Sequence, residues 1–246
     1  MAADELIFGL HSVEAALRRP QRALVLWLAA GRDDARLQNL AQMADACDLP
    51  VERLDRQELD RRAGHGRHQG AILKVRPAEA HSESFLEQLL TDLDEPPFLL
   101  VLDGVTDPHN LGACLRSADA AGVHAVIAPR DRACGLTPVV RKVASGAAES
   151  VPLVQVTNLS RSLSLLRESG VFLFGAVGEG EQTIYQADLR GALGLVMGAE
   201  GRCLRRLTRE RCDALLRIPM RGSVASLNVS VAAGIFLFEA LRQRQV

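Results

Sequence analysis

Between residues 98 and 218 the chain repeats one pattern: a near-continuous apolar run, a break marked by Gly or Pro, then another run or a helical stretch. The runs are Phe98 to Leu102, Ala125 to Ala128, Val151 to Val156, Val171 to Ala176, Leu193 to Met197 and Leu215 to Ile218. Helical periodicity over Leu111 to Ala121 and Leu159 to Glu168 separates several of them. Strands without polar alternation must be covered on both faces, which predicts an α/β domain built on a parallel sheet. Ligands of such sheets bind beyond the carboxyl ends of the strands, so the loops that follow the runs are where chemistry is expected.

Upstream, residues 1–76 mix helical patterns (Val13 to Leu17, Asp34 to Cys47) with short apolar runs (Leu24 to Leu28, Ala71 to Val75), which predicts a smaller α/β layer. Residues 77–97 carry Pro at both ends, six acidic residues and no Lys or Arg. They read as a linker with a short amphipathic helix around Phe85 to Leu90. The net charge of −1 therefore divides into +1 for residues 1–76, −6 for the linker and +4 for residues 98–246. Bulk charge neither announces nor excludes a nucleic acid. Locally, Arg61, Arg62, His65, Arg67, His68, Lys74 and Arg76 fall within sixteen residues interleaved with Gly64, Gly66 and Gly70. This stretch reads either as a solvated turn or as a phosphate-contacting loop of an RNA-binding module, with Arg61, Arg62, Arg67 and Lys74 as the candidate contacts.

Several classes fall away. The five cysteines form no C-x-x-C and no short Cys/His array, so no structural metal or disulfide framework is expected. The acidic start, with Asp4 and Glu5, lacks the basic segment and apolar run of a secretory signal, and the richest apolar stretch, Val229 to Leu241, is interrupted by Glu239. A cytoplasmic protein without a membrane role is expected. Neither G-A-V-G-E-G (175–180) nor G-A-E-G (198–201) has the spacing of the dinucleotide fingerprint, and no Walker A sequence occurs.

Three loops at strand ends remain. The first, D-G-V-T-D-P-H-N-L-G-A-C-L-R-S-A-D-A-A-G (103–122), has a turn set by Asp107 and Pro108, Asn110 as a candidate helix cap, and a helix that stops at Gly122. Gly112 in its first helical turn costs up to about 1 kcal/mol relative to Ala and leaves the backbone open to a closely approaching ligand. Cys114 reads as a small buried residue of the helix's inner face. The second loop is G-A-E-G, whose glycines leave backbone groups free to face a small molecule. The third, I-P-M-R-G-S-V-A-S-L-N-V-S (218–230), places Ser226 and Asn228 before a helix that is apolar nearly all round, which must be buried in the core or in a subunit interface.

Taken together, N-x-G-x-x-x-R at Asn110, Gly112 and Arg116, G-x-E-G at 198–201 and I-P-M-x-G-S-x-x-S-L-N at Ile218 to Asn228 resemble the SpoU/TrmH family of the SPOUT superfamily. K-V-A-S-G-A-A-E (Lys142 to Glu149) and P-L-V-x-V-T-N-L (Pro152 to Leu159) match in order and separation. F-G-L-H-S-V-E-A-A-L (Phe8 to Leu17) and Q-G-A (Gln69 to Ala71) resemble the family's L30e-like substrate-binding module, so the likeness spans essentially the whole chain. It implies RNA ribose 2′-O-methylation with S-adenosylmethionine as cofactor, a C-terminal catalytic domain with a deep trefoil knot, and a homodimer. The full-length pattern is most similar to the branch acting on a guanosine in the peptidyl-transferase loop of large-subunit rRNA. Activity on tRNA or another rRNA nucleotide, and a non-catalytic RNA-binding assembly factor on the same fold, are the alternatives. Intact Arg116, Asn228 and Glu200 speak against the non-catalytic one.

Carried over by position, the resemblance implies a cofactor lying against Gly198, Ile218 and Leu227, with Met197, Met220 and Ser226 shaping the pocket. Asn110, Arg116, Glu149, Ser226 and Asn228 match the polar active-site positions. Arg116 is the implied catalytic residue, oriented by Glu149, while Asn110, Ser226 and Asn228 fix the loops and the ribose. A protonated guanidinium has no lone pair, so electrostatic positioning is the expected role of Arg116. No metal is implied. One departure is Cys203, where the subgroup commonly has Gly.

Overall fold

The computed structural model describes residues 4–31, 34–64, 67–76, 80–199 and 204–245. Readings that fall on His65, Gly66, residues 77–79, Glu200, Gly201, Arg202 and Cys203 lie outside the described residues. The chain divides into two compact units, one of residues 1–79 with 145–150, the other of residues 80–144 with 151–246.

The first unit runs β1 (Glu5–Phe8), α1 (Leu10–Leu17), β2 (Ala23–Ala29), α2 (Ala35–Asp45), β3 (Val51–Leu54), α3 (Arg56–Ala63) and β4 (Ala71–Val75). Its sheet has the order β1-β4-β2-β3, with β2 and β3 parallel and the other pairs antiparallel. The helix starts are set by side chains: Asp34 accepts from Leu37 N at 3.0 Å and Asp55 from Glu58 N at 2.8 Å. Leu26, Leu28, Ile72 and Leu73 of the sheet and Val13, Leu37, Leu40 and Leu59 of the helices close one core. The two signature stretches of this unit meet: Leu10 N donates to Gln69 Oε1 at 3.3 Å and Gly9 N to the Ala71 carbonyl at 3.2 Å. Gly9 holds φ 88°, a left-handed conformation that favours glycine.

The second unit comprises α4 (Glu83–Asp92), β5 (Phe98–Asp103), α5 (Pro108–Ala120), β6 (Ala125–Pro129), α6 (Pro138–Ala144), β7 (Leu153–Val156), α8 (Leu159–Glu168), β8 (Phe172–Ala176), β9 (Gln182–Thr183), β10 (Leu193–Gly198), α9 (Arg206–Arg211), β11 (Ala214–Arg217) and α10 (Val229–Arg244). The short helix α7 (Ala147–Ser150) belongs to the first unit. Among the described residues seven strands form one sheet in the order β7-β6-β5-β10-β8-β11-β9, every pair parallel. All six apolar runs are strands of this sheet, and every residue of β5 and β6 is buried, as two covered faces require. Within the acidic segment, α4 buries Leu86 in the core with Leu99, Val154 and Leu163, and His81 bridges to Val154.

The strand order is not the chain order. The chain lays β5, β6 and β7 outward in one direction, starts again at β8, and later inserts β10 between β5 and β8. Neighbouring connections on opposite sides of the sheet leave a crevice at the carboxyl ends of the strands where the direction reverses. Among the described residues no helix is long and apolar enough to cross a membrane.

Candidate functional site

At that crevice a cavity of about 480 Å³ opens, lined by the carboxyl ends of β8, β10 and β11, by the loop before α10 and by α10 itself. Such a volume lies in the range of about 300–1,000 Å³ usual for small-molecule sites. Its walls include Met197, Gly198, Ile218, Met220, Ser226 and Leu227, all six residues expected at a cofactor. Ala176, Val177 and Gly178 after β8, and Ala232 and Phe236 of α10, also line it. None of these was singled out from the sequence. The first three follow from applying the strand-end rule to β8 as it was applied to β10; the last two sit on a helix whose placement is decided by packing.

Among the described residues the lining holds no charged side chain. It offers apolar surface and backbone groups at Gly178, Gly198 and Ala199, an arrangement suited to a ligand gripped by shape and main-chain hydrogen bonds. The wall after β8 is held by close backbone packing. A side chain on Gly180 would stand 2.7 Å from the Leu215 carbonyl, and Arg217 Nε donates to the Gly180 carbonyl at 3.1 Å.

The polar residues divide into three groups. Asn228 caps α10, its Oδ1 accepting from Ser230 N at 2.8 Å and Val231 N at 3.4 Å, while its Nδ2 donates to Asn110 Oδ1 at 3.0 Å. The first and third loops are thus tied by one amide pair, with Ser226 beside it on the cavity wall. Arg116 projects from the exposed side of α5, and among the described residues its guanidinium makes no hydrogen bond or ion pair. Glu149 belongs to the first unit, where one carboxylate oxygen takes Arg22 Nη1 at 2.7 Å.

Two local readings are corrected. Asn110 does not cap its helix: α5 begins earlier, with Pro108 in its first turn and the Asp107 side chain accepting from His109 N at 2.9 Å. That leaves Asn110 buried and free for Asn228. Gly112 is required by α6 and not by a ligand, since a Cβ there would stand 2.7 Å from Val143 Cβ and 2.8 Å from the Val140 carbonyl. Cys114 is fully buried on the inner face of α5.

The basic stretch of the first unit is largely neutralised by its own fold. Arg61 pairs with Glu58 at 2.5 Å, Arg62 pairs with Glu58 at 2.7 Å and lies 4.1 Å over the Trp27 ring, and Lys74 reaches Asp4 at 2.8 Å. Donors from Arg61 and then Arg62 hold the Glu58 carboxyl below its usual range. His68 is buried between Asp60, 2.9 Å from Nε2, and Gly70 N, which donates to Nδ1 at 3.1 Å. Arg67 is exposed and, among the described residues, makes no ion pair. Among the described residues no three His, Cys, Asp or Glu side chains gather as a metal site.

Comparison with known proteins agrees with this geometry. Residues 97–238 match the SpoU rRNA Methylase family, and residues 6–81 match the family described as RNA 2′-O ribose methyltransferase substrate binding. A Pseudomonas putida protein named 23S rRNA (guanosine-2′-O-)-methyltransferase RlmB is 55% identical over 100% of this chain and 99% of its own length. The protein of the same name from Escherichia coli is 54% identical over 98% of this chain and 99% of its own. Among solved structures, an RNA 2′-O ribose methyltransferase superposes with a TM-score of 0.77 at 28% identity, covering 99% of this chain and 90% of that one. The SpoU methyltransferase AviRb from Streptomyces viridochromogenes, crystallised with AdoMet, shares the fold with a TM-score of 0.79 at 23% identity, over 98% of this chain and 91% of that one. With family matches that span both units and relatives of more than half identity along the whole length, the chain belongs to the SpoU rRNA methylase family.

Proposed function

We propose that this chain transfers a methyl group from S-adenosylmethionine to the ribose 2′-oxygen of a guanosine in the peptidyl-transferase loop of large-subunit rRNA. The observation that carries the reading is the strand-end cavity of about 480 Å³, whose described lining is uncharged and includes the motif residues Gly198, Ile218, Ser226 and Leu227. Residues 98–246 act as the catalytic domain, residues 1–76 as the RNA-binding module and residues 77–97 as the segment joining them. The trefoil knot is supported by the strand order, in which β10 enters between strands laid down earlier. A homodimer is supported by α10, whose Val231 and Phe238 stand about half exposed seven residues apart on one face. A cytoplasmic location follows from the substrate.

Gly198, Ile218, Leu227, Met197, Met220 and Ser226 would hold the cofactor, which would supply an activated sulfonium methyl. The protein's part is alignment, where near-attack positioning contributes several kcal/mol. The Asn110–Asn228 pair fixes the third loop against α5, so that Ser226 and Leu227 keep their places on the wall. Arg116, exposed and without a partner among the described residues, presents a cation to the RNA, where it clamps a phosphate and steadies charge developing on the 2′-oxygen as its proton passes to solvent. Glu149, at a position matching the family's polar active-site residues, holds Arg22 within its own unit. In the first unit Arg67 makes the leading phosphate contact, with Arg61, Arg62 and Lys74 adding to it by exchanging their carboxylate partners.

The test exposes protein-free large-subunit rRNA to the protein and S-adenosylmethionine and maps alkali-resistant linkages, since alkaline cleavage needs a free 2′-OH. A single new resistant position at a guanosine of the peptidyl-transferase loop is expected. No resistant position in that RNA, with cofactor binding intact and transfer to tRNA instead, overturns the substrate assignment.

A further inference from the structure

Asp103 is the last residue of β5, and its side chain is 0% exposed. A carboxylate so placed costs several kcal/mol unless it is paired, so its partners identify its work. They lie on one segment. In the sheet register Asp103 stands opposite Gly198, the last residue of β10 and part of the cavity wall. Its Oδ2 accepts from the backbone N of Arg205 at 3.0 Å, while its buried Oδ1 lies 3.3 Å from Arg205 Nε in an ion pair without hydrogen-bond geometry. The chain therefore leaves the sheet beside Asp103 at Gly198 and is bound again by Asp103 at Arg205. Leu204, buried against the same core as Leu99 and Val101, seats the returning end.

We propose that Asp103 is a positioning residue for the cofactor: the sheet holds the chain at Gly198, and the Asp103 side chain holds it again at Arg205, so that the backbone of Gly198 and Ala199 is set along the cavity. A carboxylate oxygen suits this task because it accepts the Arg205 N–H directly. A half-exposed Arg205 guanidinium compensates the charge without filling the cavity. Asp103 touches neither cofactor nor RNA in this scheme. The inference rests on the reading that the cavity binds S-adenosylmethionine.

The test compares wild type, Asp103→Ala, Asp103→Asn and the cavity-blocking Ile218→Trp by calorimetric titration with S-adenosylmethionine and by amide hydrogen exchange of the cofactor-free chains. Asp103→Ala is expected to weaken cofactor binding about tenfold, and to raise KM for the cofactor more than it lowers kcat. It is also expected to speed exchange at the Arg205 amide while β5 and β10 stay protected. Asp103→Asn keeps the shape and an acceptor for Arg205 N, so it serves as the folded variant if Ala does not fold, and it is expected to recover part of the affinity and protection. Binding by wild type but not by Ile218→Trp, together with wild-type affinity in both Asp103 variants, overturns the proposal alone. Absence of binding by wild type, or undiminished binding by Ile218→Trp, overturns the cavity reading and the proposal with it.

Discussion

Asn228 carries two tasks with one amide: its oxygen caps α10 and its nitrogen bonds Asn110. The tasks are separable by substitution. Asn228→Ala is expected to cost about 0.5–2 kcal/mol in thermal unfolding because the cap is lost. Asn228→Ser keeps a capping oxygen and is expected to restore most of that stability while leaving methyl transfer low, since its hydroxyl does not reproduce the bond to Asn110. Equal transfer rates in Ser and wild type would show that the Asn110 bond does not serve the reaction. Arg116 is the opposite kind of residue, exposed and without an intramolecular partner among the described residues. Arg116→Ala is expected to abolish transfer with cofactor affinity and melting temperature nearly unchanged; a parallel loss of cofactor binding would place it on the cofactor side. A motif identifies such residues, but their pairing is another matter. Asn110 looks like a cap in the sequence because Asn before an apolar helix usually is one, and only Pro108 with Asp107 moves the helix start and releases its side chain.

At the level of elements, α5 and α6 approach so closely that Gly112 has no room for a methyl group. Gly112→Ala is expected to lower stability by about 1–3 kcal/mol through overpacking, despite the better helix propensity of Ala. A melting temperature at or above wild type would return Gly112 to the role of a ligand contact. The sheet strands were legible because burial on both faces forces uninterrupted apolar runs: Phe98 to Leu102 and Ala125 to Ala128 appear as β5 and β6 with a residue added at the carboxyl end. The short elements were not. β3 reads V-E-R-L and is mostly exposed, and β9 has two residues, so neither buries enough to leave a pattern. The helix α3, R-Q-E-L-D-R-R-A, buries only Leu59 and Ala63 and is held by its Asp55 cap and by Glu58 pairing with Arg61 and Arg62.

Across the molecule, the site draws on residues from 176 to 236 that the topology gathers at one end of one sheet. The last helix adds a wall through Ala232 and Phe236 and turns Val231 and Phe238 outward. A buried Phe contributes roughly 1.5–3 kcal/mol, enough to change an association constant at least about tenfold. Phe238→Asp is therefore expected to shift a dimer toward monomer in sedimentation velocity at micromolar protein. An unchanged sedimentation profile would move the subunit contact away from this face.

The sequence by itself determined the α/β class, six of the strands described in the larger sheet, and which loops bear the family motifs. Each of these follows from a local cause: apolar runs for two-sided burial, and particular residue types at fixed spacing in the motifs. Only the tertiary structure decided that β10 stands between β5 and β8, that Ala176 to Gly178 share a cavity with Leu227, and that Gly112 answers to Val143. It likewise decided that Glu149 takes Arg22, that most of the basic stretch is paired internally, and that Asp103 grips Arg205. These are contacts between residues far apart in the chain, and no local pattern encodes a partner that packing and strand order must first bring within reach.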